Sequence, residues 1–267
     1  MPRAAVLGSP IAHSLSPVLH RAAYLALGLA DWSYDAIECD ESGLPSLLAG
    51  LGPDWAGLSL TMPLKRILLS CVDSRSALAT QVGAANTVLL AGGHRHADNT
   101  DVGGLVDSLA GADVSDVVIL GAGGTAAAAL AAVRDLGAAV ATVVVREVGR
   151  AGDLLAAADR LGVGVRLSLW PGVPAEPTLL ISTVPRGAAD LLAAHPWQST
   201  TTVCDVLYHP WPTPLARAAG AAGCRVVGGY ELLLHQAARQ VRLMTGLAAP
   251  LPAMRAALAA ASDGVEV

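Results

Sequence analysis

The sequence predicts an α/β protein of two domains, each built on a mostly parallel sheet. Three observations point there. Short apolar runs alternate with longer alanine- and leucine-rich segments, the rhythm of βαβ units. A Gly121-Ala122-Gly123-Gly124 turn separates one such run from an alanine-rich stretch. The length of 267 residues also exceeds one average domain. The composition is 53% hydrophobic without a single Phe, which suits small-residue helices packed closely on a sheet.

Taken in order, residues 4–7 form a first strand, and a loop rich in breakers and hydroxyls follows. Ser16 then Pro17 reads as a helix N-cap with proline at the first helical position, opening a helix through Leu25. Residues 32–39 make the second strand and 44–51 the second helix. Leu58-Ser59-Leu60-Thr61 alternates like a third strand, stopped by Pro63 and followed by Lys65. Residues 66–72 read as helical. Gly83-Ala84-Ala85-Asn86-Thr87 leads into residues 88–90, and Ala91-Gly92-Gly93-His94 is a hairpin connection. The return passes Asp98-Asn99-Thr100-Asp101 into another helix.

The second half is a cleaner βαβ series, with strands at 117–120, 141–145, 165–169, 179–183, 202–207 and 225–227. Residues 230–245 are helical, and Pro250 and Pro252 open a last helix at 254–261. The apolar run 117–133 falls short of a membrane span and is broken by its glycines. The N-terminus is too short in apolar length for a signal peptide. A net charge of −5 offers no footprint for nucleic acid or anionic lipid. Cys39, Cys71, Cys204 and Cys224 lack metal or redox spacing and read as reduced thiols, so the expectation is a soluble cytoplasmic protein.

Gly121-Ala122-Gly123-Gly124-Thr125-Ala126 fits G-x-G-x-x-A between a strand and a helix. Its glycines permit a tight turn and close backbone approach, and the helix N-terminus receives a pyrophosphate. This makes the second domain a Rossmann dinucleotide-binding domain. At the end of its second strand, Arg146 and Arg150 flank Glu147. Two guanidiniums favour the 2′-phosphate of NADP, while Glu147 suits the free ribose of NAD.

In the first half, Ser14, Ser16, Thr61, Lys65, Asn86 and Asp101 all fall at strand ends or in adjoining loops, where a polar pocket forms. Lys65 with Asp101 is the pair suited to chemistry. An ammonium held by a carboxylate can donate to a carbonyl as hydride arrives, then supply the proton.

Several separate motifs, in order along nearly the whole chain, resemble shikimate dehydrogenase. They are residues 8–17 (GSPIAHSLSP), Thr61-Met62-Pro63-Leu64-Lys65, residues 83–87, Asn99-Thr100-Asp101 with Gly103, residues 121–126, Asp205-Val206-Leu207-Tyr208 with Thr213-Pro214-Leu215, and Gly229 followed by residues 233–237. The resemblance implies NADPH-dependent reduction of 3-dehydroshikimate to shikimate, in the pathway to chorismate and the aromatic amino acids. Carried over by position, Lys65 and Asp101 match the catalytic pair. Ser14, Ser16, Thr61, Asn86, Asp101, Tyr208 and Gln236 match the substrate contacts. Val206 and Gly229 match backbone contacts to the nicotinamide side, and Thr183 joins residues 121–126, Arg146 and Arg150 in the expected cofactor site.

The chain departs from the family in places. Ser59 stands where Asn is common, a shorter donor that loosens a substrate contact or leaves room for water. Leu232 replaces a frequent methionine. Val145-Arg146-Glu147 replaces Asn-Arg-Thr, which bears on NADP against NAD. His13 and His235 read as packed histidines, since Lys65 fills the acid–base role. His94 and His96 lack a third metal ligand, so no metal is expected.

The domains expected are 1–101, completed by 230–267, for the substrate, and 102–229 for the cofactor, with a cleft between. The chain is a monomer or homodimer. Alternatives are an NAD-preferring quinate/shikimate dehydrogenase or a relative acting on an amino analogue. From another class comes a silent dinucleotide-binding regulator, which the intact Lys65 and Asp101 weigh against.

Overall fold

The structure, a computed structural model, describes residues 1–174 and 176–262. The last five residues of the expected C-terminal segment therefore lie outside the described residues. The chain divides into two compact units, Met1–Gly104 with Leu233–Val267, and Leu105–Leu232.

The first unit begins with β1 (Arg3–Gly8), α1 (Ser16–Ala26), β2 (Ser33–Glu38), α2 (Leu44–Ala49) and β3 (Trp55–Leu60). It continues through β4 (Ser74–Arg75), α3 (Ala77–Val82), β5 (Thr87–Ala91), β6 (His94–Asp98) and α4 (Thr100–Ser108). Its sheet order is β2-β1-β3-β5-β6-β4. β1 pairs in parallel with β2 and β3, while β5 runs antiparallel to both β3 and β6. Leu7, Leu58, Leu60, Leu64 and Leu68 fill the core under one face. The alternation at Leu58-Ser59-Leu60 suggests a strand half exposed to water, but every residue from Gly57 to Leu60 is buried. The helix α8 (Gly229–Thr245) places Met244 and Gln240 against the Ser59 face. The last helix, α9 (Leu251–Ala261), packs on α1.

The second unit runs β7 (Val117–Leu120), α5 (Gly124–Asp135), β8 (Val140–Val145), α6 (Gly152–Leu161), β9 (Gly164–Leu169), β10 (Leu179–Ser182), β11 (Thr202–Asp205), α7 (Pro214–Ala221) and β12 (Arg225–Gly228). All six strands are parallel, in the order β12-β11-β10-β7-β8-β9. That is a doubly wound sheet with its switch point at β7, where open α/β sheets bind ligands. In α5 eight consecutive residues, Ala126 through Val133, are buried, and the alanine bias is what lets the helix lie so close.

Three local expectations change. Residues 66–72 contain only a four-residue 3-10 turn, Ile67–Ser70, because the Ser70 hydroxyl and Cys71 thiol both bond back to the Ile67 carbonyl. Ser16 is not a side-chain cap; it is the first helical residue, and its N–H donates to Ser14 Oγ at 3.3 Å. Helices α3 and α6, which the sequence pattern does not single out, are each closed by a glycine in the left-handed region, Gly83 and Gly162.

Candidate active site

The site in the first unit starts at the carboxyl end of β3. Thr61 N–H continues the ladder to the Leu7 carbonyl, and Leu64 N–H closes a turn on the Thr61 carbonyl. Packing at this corner is tight: a Cβ on Gly8 would overlap Thr61 Cγ2 and sit 3.0 Å from the Met62 carbonyl. The turn throws Lys65 back toward β5, where the Lys65 carbonyl accepts from Ala85 N–H at 2.8 Å.

Lys65 Nζ donates to Asp101 Oδ2 at 2.6 Å, with side-chain exposures of 18% and 6%. The lysine is therefore reachable while its partner is enclosed. Asp101 Oδ1 accepts from Asn86 Nδ2 at 2.8 Å, so each carboxylate oxygen has its own donor. Asp101 sits in the first turn of α4, where negative charge is favoured. Asn99 caps that helix, its Oδ1 accepting from the N–H groups of Asp101 and Val102, and its Nδ2 ties it to the Ala84 carbonyl. Asn86 Oδ1 accepts from Thr100 N–H at 2.8 Å and from the Thr87 hydroxyl at 2.9 Å. Asn86 Nδ2 also reaches Gln236 Oε1, at 3.4 Å.

The structure thus brings Lys65, Asn86, Asp101 and Gln236 into one hydrogen-bonded group. Thr61 lies on the same turn as Lys65, and Ser16, at the start of α1, pairs with Ser14 in the loop after β1, which Glu38 fixes by accepting from Ile11 N–H. Asn99, Thr100 and Thr87 support the group, and reasoning from sequence alone misses them as functional residues. Asn before an apolar helix is a capping signal, and it marks the first of them. Ser59, expected to face substrate or water, spends its hydroxyl on protein: it accepts from Tyr34 and donates to Gln240, each at 2.7 Å. His94 and His96 both reach the Ser74 hydroxyl at 2.8 Å.

In the second unit, Gly121 ends β7 with φ +103°, and a Cβ there would lie 2.8 Å from Thr183 Oγ1. Thr183 in turn donates to the Leu120 carbonyl at 2.7 Å. Gly123 caps α5 with extended backbone and no side-chain acceptor, and the space a Cβ would enter there is open. A glycine-lined helix start of this kind fits a phosphate group. Arg146, Glu147 and Arg150 follow β8, all exposed. At the end of β11, buried Asp205 accepts from Leu207 N–H and from the Thr213 hydroxyl that caps α7. Burial pushes its carboxyl up from the ordinary value, against the pull of those two donors. This clamp shapes the loop that carries Val206 and Tyr208, whose ring lies 5.7 Å from that of Tyr230. The Gly229 backbone abuts the Val206 carbonyl, leaving no room for a side chain.

Residues 6–88 match the family model of the shikimate dehydrogenase substrate binding domain, and residues 229–259 that of the shikimate 5′-dehydrogenase C-terminal domain. A shikimate dehydrogenase (NADP(+)) of Halobacterium salinarum is 38% identical over 264 residues, covering 96% of this chain and 97% of that protein. The crystal structure of Mycobacterium tuberculosis shikimate dehydrogenase is 45% identical, with a TM-score of 0.88 over 98% of this chain and 100% of that one. The Thermus thermophilus shikimate 5-dehydrogenase in complex with NADP(H) and shikimate is 34% identical, with a TM-score of 0.84 over 98% of this chain and 100% of that one. Identity at this level over almost the full length, on the same fold, places this chain in the shikimate dehydrogenase family.

Proposed function

We propose that this chain catalyses the reversible, NADPH-dependent reduction of 3-dehydroshikimate to shikimate, in the cytoplasm. The observation that carries the reading is the Lys65–Asp101 pair, an accessible ammonium 2.6 Å from an enclosed carboxylate that Asn86 holds from the other side. Such a lysine presents N–H donors to a carbonyl oxygen and has a proton to give once that oxygen becomes an alkoxide. Asp101 orients the ammonium and balances its charge. Ser14, Ser16, Thr61, Asn86, Tyr208 and Gln236, with Asp101, hold the carboxylate and hydroxyls of the substrate. Residues 1–101 and 230–267 serve as the substrate domain and 102–229 as the cofactor domain.

NADPH, when bound, supplies the hydride. Gly121, Ala122, Gly123, Gly124, Thr125 and Ala126 would hold its pyrophosphate, Arg146 and Arg150 its 2′-phosphate, and Thr183, Val206 and Gly229 the nicotinamide side. The exposed helix start at Gly123 and the two exposed guanidiniums support this assignment.

The test is direct. Purified protein mixed with 3-dehydroshikimate and NADPH loses absorbance at the reduced-cofactor band; no loss overturns the reading. NADH in parallel weighs Glu147 against the two arginines.

A further inference from the structure

The hydrogen bonds that hold Asp101 do not stop at Asn86. Gln240 lies one turn beyond Gln236 on the same face of α8 and is 1% exposed. Its amide is fully engaged. Oε1 accepts from Ser59 Oγ at 2.7 Å and from His20 Nε2 at 3.3 Å, while Nε2 donates to the Asn86 carbonyl at 3.2 Å and to Thr87 Oγ1 at 3.1 Å. A backbone carbonyl only accepts, so the NH₂ end is fixed toward Asn86 and the amide has one orientation. Thr87, having received from Gln240, directs its own proton to Asn86 Oδ1. That turns Asn86 Nδ2 to Asp101, and Asp101 to Lys65. Ser59, Asn86, Thr87, Asp101 and Gln240 are all 4% exposed or less, so water does not substitute for a missing link.

We infer that Gln240 is a positioning residue for the reaction: acting through Thr87 and the Asn86 backbone, it sets the Asn86 amide and hence the aim of Asp101 at Lys65. The inference rests on Lys65 and Asp101 being the reacting pair. Thr100 N–H holds Asn86 Oδ1 independently, so the effect is partial.

Gln240→Met keeps the length and removes all four bonds; Thr87→Val deletes only the middle link. Each lowers kcat about tenfold, the scale of a small misplacement of a reacting group. Each also shifts the Asn86 side-chain amide resonance in ¹⁵N-edited NMR, because the hydrogen bonds that set that amide are the ones removed. His20→Phe and Tyr34→Phe remove donors on the far side of Gln240 and leave both its N–H bonds in place. They lower thermal stability, while kcat stays within about twofold.

If Gln240→Met and Thr87→Val lose only stability, with kcat and the Asn86 amide resonance as in the parent chain, Gln240 is structural and the inference is wrong. Where Gln240→Met does not fold, Thr87→Val alone decides. If the parent chain turns over no 3-dehydroshikimate, the proposed reaction fails instead. The Asn86 side-chain amide resonance in ¹⁵N-edited NMR then reads the positioning directly: a shift in Thr87→Val supports it and an unmoved resonance refutes it.

Discussion

Replacing Asp101 by asparagine is the sharpest probe of the site, because size is kept and only charge and acceptor count change. The two carboxylate oxygens each take one donor, Asn86 Nδ2 at 2.8 Å and Lys65 Nζ at 2.6 Å. An asparagine offers one acceptor and one NH₂, so in either orientation a donor faces a donor. One charge-assisted hydrogen bond, worth about 1.5–3 kcal/mol, disappears with nothing to replace it. At about 1.4 kcal/mol per factor of ten, that alone slows turnover roughly ten- to a hundredfold. Loss of the counter-charge that steadies the ammonium adds to this, so kcat falls about 10²–10³-fold, within the span of general acid catalysis. The substrate KM moves less, since Asp101 is one proposed substrate contact among several and Ser14, Ser16 and Thr61 are untouched. Steady-state rates followed by NADPH absorbance, on protein shown by circular dichroism to be folded, give the answer. An Asp101→Asn chain that keeps kcat within about threefold would refute the pairing as the source of catalysis.

Three further outcomes follow from other parts of the molecule. Gly121→Ala forces φ +103° on a residue with a Cβ and drives that atom against Thr183 Oγ1; titration of NADPH fluorescence should show weakened binding, and urea melts a loss of about 1–3 kcal/mol. Thr213→Ala removes the cap of α7 and one of the donors to buried Asp205; a loss of about 1–2 kcal/mol is expected, and none would mean that the clamp adds nothing. His20 is enclosed, and burial lowers its pKa from 6.5 to about 3, so the folded chain keeps it neutral while the unfolded chain binds a proton below 6.5. Its contribution is complete above pH 6.5 and declines as pH falls toward 3, by about 1.4 kcal/mol per unit. His20→Phe removes that slope; urea melts of both chains at about pH 5 and 7 that run parallel would contradict it.

Much of this was legible in the chain because local chemistry is strong where it matters. The proline after Met62, the glycine-rich turn at 121–124 and the Asn-Thr-Asp run each dictate a backbone, and the reactive side chains ride on those backbones. What stayed hidden depends on neighbours far along the sequence. Ser59 looks like the solvent face of a half-buried strand until α8 brings Gln240 to it from 181 positions away. Gln240 itself is one polar residue on a helix of mixed character, and nothing local separates it from a surface glutamine. The segment 66–72 has helical composition, but its serine and cysteine bond to their own backbone.

The alanine stretch of α5 also limits how far the chain can vary. To the eye it is the blandest part of the sequence, yet eight residues in a row have no face toward water. These methyls are enclosed, so Ala→Val at positions 127–129 adds bulk that the packing has to absorb, at about 1–3 kcal/mol. In a saturation library this monotonous run should tolerate fewer replacements than the charged loop after β8.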